Sequence, residues 1–141
     1  MSDLRPALAA ACLTVLLSIC AAPRAWSEGA QTILCAISST YDYPTGKQSG
    51  PTTGEDVFTF SAQPDGSIAV GSVVGCTKMT QFIASDSEYF IACDFVIRGM
   101  VYKRQYTINR YSGSYQKLFA LEGSKDFLLF SGTCEPAKKR F

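Results

Sequence analysis

The sequence predicts an all-β fold, an antiparallel meander of about eight strands that is closed or nearly closed into a barrel. Short runs rich in Ile, Val, Phe, Tyr and Thr alternate with clusters of Gly, Pro, Asp and Ser, and no long run has the 3.6-residue period of a helix. Cysteines in the first and last runs can link the two ends of the sheet. Such a link favours closure, which removes exposed strand edges. A two-layer sandwich is the alternative.

Eight runs have the length and composition of strands, and polar breaks separate them. The breaks at 64–66 and 112–114 contain Gly66 and Gly113, which supply the positive φ that tight hairpins need. Because connections this short join antiparallel neighbours, a meander is expected. The predicted strands are 32–38, 56–62, 67–74, 77–84, 88–98, 100–109, 114–121 and 126–133.

The run 89–97 is apolar at successive positions, which is typical of a central strand. Residues 39–54 interrupt the strand pattern with a long polar segment that contains Tyr41 and Tyr43, and a connection of that length is expected to be functional or mobile. The other runs supply the rest of the predicted core, which is Phe58, Phe60, Ile68, Val70, Phe82, Phe119, Leu121, Leu128 and Phe130.

Residues 1–27 have the organisation of a secretory signal peptide. Arg5 precedes an apolar run at 7–22, and Ala25-Trp26-Ser27 is a small-x-small cleavage site. The apolar run is shorter than the roughly 20 residues that a membrane-spanning helix needs, so stable membrane insertion is not expected. The sequence therefore predicts a signal helix at 1–27 and a single domain at 28–141 that is periplasmic or secreted.

Cleavage would leave four of the six cysteines, and an even number in an exported domain predicts two disulfides. There is no Cys-x-x-Cys motif and no histidine, so neither a metal site nor a cofactor is expected. Three connectivities are open. The favoured one joins Cys76 to Cys93 across a polar turn, and Cys35 to Cys134 between the first and last runs.

Charge is unevenly distributed, although the whole chain carries only +1. Residues 28–97 contain eight acids and two bases, a net charge of −6, whereas residues 98–141 contain nine bases and three acids, a net charge of +6. One interpretation is that the halves complement each other across neighbouring strands. The other is a basic, tyrosine-bearing face that binds a protein or an anionic envelope component. That face would comprise Arg98, Lys103, Arg104, Arg110, Tyr102, Tyr106 and Tyr111.

Composition favours neither an enzyme nor a nucleic-acid-binding protein. Without histidine, no Ser-His or Cys-His nucleophile can form, and no catalytic residue is assigned. Export disfavours nucleic acid, as does a net charge of zero over 28–141, from eleven acids and eleven bases. The expected function is non-catalytic binding in the cell envelope, through the hairpin at 110–115 and the basic face. The alternatives are a lipocalin-like carrier of a small apolar ligand and an inhibitor of lysozyme or protease.

The C-terminal third resembles a group of small, uncharacterised exported proteins of alphaproteobacteria. The similarity lies in the Ile-Asn-Arg-x-x-Gly hairpin at 108–113 and in the terminal Gly-x-Cys at 132–134. It implies export but no particular activity. A fainter similarity is to the periplasmic C-type lysozyme inhibitors, small disulfide-bonded barrels with a Ser-Gly-x-x-Tyr loop. The segment Ser112-Gly113-Ser114-Tyr115 is one residue shorter than that loop, so no inhibitory residue is carried over.

Overall fold

The computed structural model describes residues 30–137, and every regular element in that range is a strand. The all-β prediction is therefore confirmed. The predicted signal peptide at 1–27 lies outside the described residues. The strands are β1 (Ala30–Tyr43), β2 (Lys47–Ser49), β3 (Glu55–Ala62), β4 (Ile68–Val70), β5 (Lys78–Ala84), β6 (Glu88–Ile97), β7 (Met100–Asn109), β8 (Ser114–Leu121) and β9 (Phe127–Pro136).

These strands form an up-and-down barrel that is closed except at one seam. Hydrogen-bonded neighbours follow the order β4-β3-β1-β9-β8-β7-β6-β5, and the short β2 pairs with the end of β1. All pairs are antiparallel, and β1 pairs with β9 from Ile33 opposite Pro136 to Tyr43 opposite Phe127. Within residues 30–137 the two ends of this order, β4 and β5, do not pair with each other. The sheet is therefore a nearly closed barrel, and we call the gap between β4 and β5 the seam.

The two ends of the barrel differ in their connections. The upper end is the one at which β1 begins, and it contains the turns at 63–67, 85–87 and 110–113. The lower end is the opposite one, and it contains the connections at 44–54, 71–77, 98–99 and 122–126. The successive hairpins place alternate connections at alternate ends.

Residues 39–54, predicted to be a long connection, instead extend the sheet. β1 continues to Tyr43 and the chain returns as β2, with Tyr41 opposite Gln48. The turn is held by Asp42, whose carbonyl accepts a 2.8 Å hydrogen bond from the Gly46 N–H and whose Oδ2 accepts a 2.9 Å bond from Thr45 Oγ1. Residues 30–137 therefore contain nine strands rather than the eight predicted.

β4 ends at Val70, whereas the sequence predicted a strand over 67–74. After the Gly71 N–H donates to the Thr59 carbonyl at 2.7 Å, the chain leaves β3 and crosses the lower half of the seam. Val73 is buried there, and Cys76 is bonded to Cys93 of β6. Burial and the cross-link thus hold segment 71–77 over the interior instead of along the sheet.

Aromatic rings fill the upper half of the barrel. Phe60 stacks on Tyr89 with ring centroids 4.1 Å apart, and Phe58 meets Tyr106 edge-on at 5.2 Å. Burial of Phe58 and Phe60 confirms their predicted place in the core, whereas Leu121, also predicted there, is 40% exposed because it ends β8 at the lower end. The buried residues are Ile33, Cys35, Phe58, Phe60, Val73, Tyr89, Ile91, Cys93, Tyr106, Ile108 and Tyr115.

The favoured disulfide connectivity is confirmed. Cys35 and Cys134 lie directly opposite each other on β1 and β9, so their bridge crosses the strand pair that closes the sheet. The second bridge joins Cys76, which precedes β5, to Cys93 on β6. Two disulfides in one small domain indicate an oxidising compartment. Residues 30–137 include no helix long and apolar enough to cross a membrane.

Candidate functional site

The seven residues predicted to form a basic, tyrosine-bearing face do not lie on one face. Side chains two positions apart on a strand point to the same side. Because Tyr106 is fully buried, the alternation along β7 directs its neighbours two and four positions earlier into the barrel as well. The residues are distributed as Tyr102, Arg104 and Tyr106 inside, Lys103 outside, Arg98 at the lower end, and Arg110 with Tyr111 at the upper end.

Arg104 lies inside the lower half of the barrel between two aromatic rings. Its Cζ is 4.1 Å from the ring centroid of Phe95 and 5.2 Å from that of Phe119. Its Nη1 donates to the Gly75 carbonyl at 3.3 Å. A Cβ at position 75, where φ is +82°, would overlap Nη1 of Arg104, so glycine is required for this approach. Arg104 thus joins β7 to segment 71–77.

The Lys103 side chain points outward and forms ion pairs with two carboxylates. Its Nζ lies 2.8 Å from Asp94 Oδ1 and 3.1 Å from Glu122 Oε1. Hydrogen bonds to Asp94 and Glu122 raise the pKa of Lys103 above its usual value. The pair with Asp94 joins the acidic half of the chain to the basic half, as the interpretation of charge complementarity predicts.

A polar cluster inside the barrel was not predicted from the sequence. Asp56 Oδ2 accepts a 2.5 Å hydrogen bond from the Tyr115 hydroxyl and lies 2.7 Å from Lys117 Nζ. The Lys117 ammonium also lies 4.9 Å from the ring centroid of Phe130. The alternation of side chains along the strands could have predicted it. Asp56 shares the inward face of β3 with Phe58, and Lys117 shares the inward face of β8 with Tyr115.

This cluster is suited to a structural role rather than to acid–base chemistry. Burial and the hydrogen bond to the Asp56 carboxylate raise the pKa of Tyr115, and burial raises the pKa of Tyr106, so both hydroxyls keep their protons at neutral pH. Lys117 pairs with the charge of the Asp56 carboxylate, and both side chains are less than one fifth exposed. The Tyr106 hydroxyl and Arg104 Nε are buried and have no hydrogen-bond partner within residues 30–137.

The upper end of the seam opens into a cleft of about 460 Å³, which we call the upper cleft. One wall comes from the β3–β4 turn and the start of β4, and the other from the end of β5 and the turn after it. Arg110 closes the side next to the β7–β8 turn. The lining residues are Gly66, Ser67, Ile68, Phe82, Ala84, Ser85, Asp86 and Arg110. Apolar strand residues and polar turn residues therefore meet at one opening.

Arg110 is fixed in this cleft by both neighbouring elements. Its Nη1 donates to the Ser85 carbonyl at 2.5 Å, and its guanidinium carbon lies 4.9 Å from the ring centroid of Tyr89. Burial raises the pKa of the Tyr89 hydroxyl, and the charge of Arg110 partly offsets that rise. The next residue, Tyr111, is 80% exposed at the tip of the hairpin. Of the seven predicted site residues, Arg110 and Tyr111 are thus together beside a cleft.

Two acidic side chains lie at the upper cleft. Asp65 lies in the β3–β4 turn, and hydrogen bonds from Ser67 hold its pKa below the usual value. Asp86 lines the cleft from the β5–β6 turn on the other wall. The upper cleft therefore combines two carboxylates with the guanidinium of Arg110.

The lower end of the barrel has a smaller cleft of about 180 Å³ between the end of β1 and the β8–β9 turn, lined in part by Asp42, Tyr43 and Phe119.

No group of three or more His, Cys, Asp or Glu side chains among the described residues is arranged to hold a metal ion. Comparison with known protein families, curated proteins and solved structures gives no match to this chain.

Proposed function

We propose that the chain is a non-catalytic binding protein of the cell envelope, exported by its N-terminal segment, and that its upper end contacts a partner protein. The observation that carries the proposal is the upper cleft, with Arg110 fixed in its wall and Tyr111 exposed beside it. An exposed tyrosine next to a partly apolar cleft has the composition of the centre of a protein interface.

The charges around the cleft favour a protein over an anionic envelope component. Asp86 in the lining and Asp65 in the adjoining turn outnumber Arg110, so a polyanion would be repelled where the cleft opens. A lipocalin-like carrier receives less support, because Phe and Tyr rings occupy the upper half of the barrel interior where a ligand would lie.

Two disulfides support export, since such bonds persist in oxidising compartments such as the periplasm or the exterior. Cleavage after Ser27 removes Trp26, Cys12 and Cys20. Purified exported protein should therefore begin at Glu28, show no indole absorbance and contain no free thiol after denaturation. An intact N-terminus found by mass spectrometry would contradict this part of the proposal.

Binding through the upper end can be tested with matched variants at the two ends of the barrel. The exported protein is used to capture partners from an envelope extract, with Arg110→Glu and Tyr111→Ala as the upper-end changes. Lys125→Glu and Tyr43→Ala make the same chemical changes at the lower end. We expect the upper-end variants to lose a partner that both lower-end variants retain.

Each variant needs a thermal unfolding measurement first, because Arg110 also supports the β5–β6 turn through Ser85. Tyr111→Ala is the cleaner change, because the Tyr111 side chain is exposed. Its hydrogen bond to Asn109 Oδ1 is donated by the backbone N–H, which the substitution keeps. Identical partner sets from all four variants, or losses confined to the lower-end pair, would refute the proposal.

A further inference from the structure

The unpaired edge of β5 presents backbone hydrogen-bonding groups to the upper cleft. The Ser85 N–H donates to the Glu88 carbonyl at 2.9 Å and starts the β5–β6 ladder, in which Ala84 lies opposite Tyr89 and Phe82 opposite Ile91. In an antiparallel ladder, hydrogen-bonded pairs alternate with pairs whose backbone groups point the other way. The N–H and C=O groups of Phe82 and Ala84 therefore point away from β6 and into the seam.

The facing edge of β4 has the same arrangement. The Gln63 N–H donates to the Ser67 carbonyl at 2.8 Å and the Gly71 N–H to the Thr59 carbonyl at 2.7 Å, so Ile68 and Val70, which alternate with these residues, direct their backbone groups into the seam. Segment 71–77 covers the lower half of the seam, but the upper half opens into the cleft. Two unpaired strand edges thus meet at the site assigned to binding.

The chemistry of this gap defines what can occupy it. A row of alternating N–H and C=O groups is matched by another extended backbone. Every second side chain of such a strand would point inward onto the rings of Phe60, Phe82 and Tyr89, which contact one another and favour an apolar residue. The carboxylates of Asp65 and Asp86 at the rim favour a basic residue at the end of the strand.

A folded second copy of the chain does not meet these requirements. The β4 and β5 edges of such a copy face each other across its own seam, and its three-residue β2 has a free edge at the lower end. A flexible segment can enter the cleft, whereas a barrel edge would have to bring its own neighbouring strands with it.

We propose that the upper cleft binds an extended, alternately apolar segment of a partner protein as an added strand hydrogen-bonded to Phe82 and Ala84 of β5, with a basic residue of that segment against Asp65 and Asp86. This inference rests on the proposed function and specifies the mode of recognition.

The test uses a synthetic hexapeptide, Lys-Val-Thr-Val-Thr-Lys, and the ¹⁵N-labelled exported protein. Saturating peptide should slow amide hydrogen exchange at Phe82 and Ala84 at least about tenfold, as expected for groups that gain a ladder hydrogen bond. Two further peptides are N-methylated on alternate amides. Because one set of alternate amides faces β5 and the other faces β4, the peptide methylated on the first set should no longer slow exchange at Phe82 and Ala84, whereas the other peptide should still slow it.

Charge is tested separately with Asp86→Asn and, as its match at the lower end, Asp126→Asn. We expect Asp86→Asn to weaken binding of the lysine-flanked peptide several-fold and Asp126→Asn to leave it unchanged. Equal slowing of exchange at Phe82 and Ala84 by both methylated peptides, slowed exchange that leaves β5 unaffected, or slowed exchange that depends on protein concentration without peptide would overturn strand addition. If one of these outcomes is found while Tyr111→Ala still abolishes partner capture, the proposed function stands and only strand addition is refuted.

Discussion

Gly132 lies where the backbones of β9 and β1 leave no room for a side chain. A Cβ at this position would overlap the carbonyl oxygen of Ala36. We expect Gly132→Ala to lower the free energy of unfolding by roughly 1–3 kcal/mol, because the strands must separate to admit the methyl group. Gly50→Ala is the control, since a Cβ there has no neighbour within 4 Å. Urea unfolding of both variants checks this, and equal midpoints would contradict it.

Lys117 is the only cation that neutralises Asp56 inside the described part of the barrel. Lys117→Met should cost about 1–3 kcal/mol in the free energy of unfolding, because it leaves a largely enclosed carboxylate with Tyr115 as its remaining partner. Lys103→Met removes a more exposed ion pair and should cost clearly less. Chemical denaturation of the two variants measures the difference, and an equal loss would show that Asp56 is well solvated.

At the level of single residues, the sequence allowed part of the interior to be predicted. Alternation along β7 separates Lys103 from Arg104, so the two could have been assigned to opposite faces. The direction of each face was also indicated, because the alternation that contains Arg104 is otherwise apolar or aromatic, whereas the one that contains Lys103 is polar except for Val101. The contact between Arg104 and Gly75 spans 29 positions, and no local pattern indicates it.

Among the elements, the two disulfides constrain different parts of the sheet. In the chain-entropy account, a bridge that closes about 100 residues contributes roughly 4.7 kcal/mol and one that closes about 15 roughly 3 kcal/mol. The separations here are 99 residues for Cys35–Cys134 and 17 for Cys76–Cys93. Replacing the first pair by alanine should therefore destabilise the chain more than replacing the second. Denaturant unfolding without reductant checks the order, and the reverse order would contradict it.

Strand bounds were predicted correctly where glycine and polar residues mark a hairpin turn. They were predicted wrongly where contacts with distant segments determine whether a strand forms. β7 and β8 have the predicted bounds, because Gly113 and the polar residues around it mark the turn between them. β2 is only three residues long and depends on pairing with the end of β1, so its own composition does not indicate a strand. β4 was predicted too long because Val73 has the composition of a strand residue. Its side chain is instead buried where segment 71–77 crosses the seam.

For the molecule as a whole, the buried tyrosines make stability sensitive to alkali. Burial raises the pKa of Tyr89, Tyr106 and Tyr115 above the usual value of 10.0. Above about pH 10 the folded state therefore binds more protons than the unfolded state. The free energy of unfolding should fall as the pH rises beyond that value, and it should not be affected by these tyrosines at lower pH.

The midpoint of urea unfolding at pH 8 and at pH 11 measures this effect. The ion pairs of Lys103, whose pKa is raised, also depend on pH in alkali. The contribution of the tyrosines is therefore isolated by Tyr106→Phe and Tyr115→Phe, which should reduce the difference between the two midpoints. A difference that both variants leave unchanged would assign the alkaline loss to other groups.

The pairing of β1 with β9 sets the order in which the chain can fold. The first of the described strands pairs with the last, and the residues joined by their disulfide are 99 positions apart. Hairpins from β5 to β9 can form locally, but closure requires the most distant parts of the sequence to meet, which is slow. The sheet therefore closes only after β9 has been made, and a chain shortened before β9 would expose the edges of both β1 and β8.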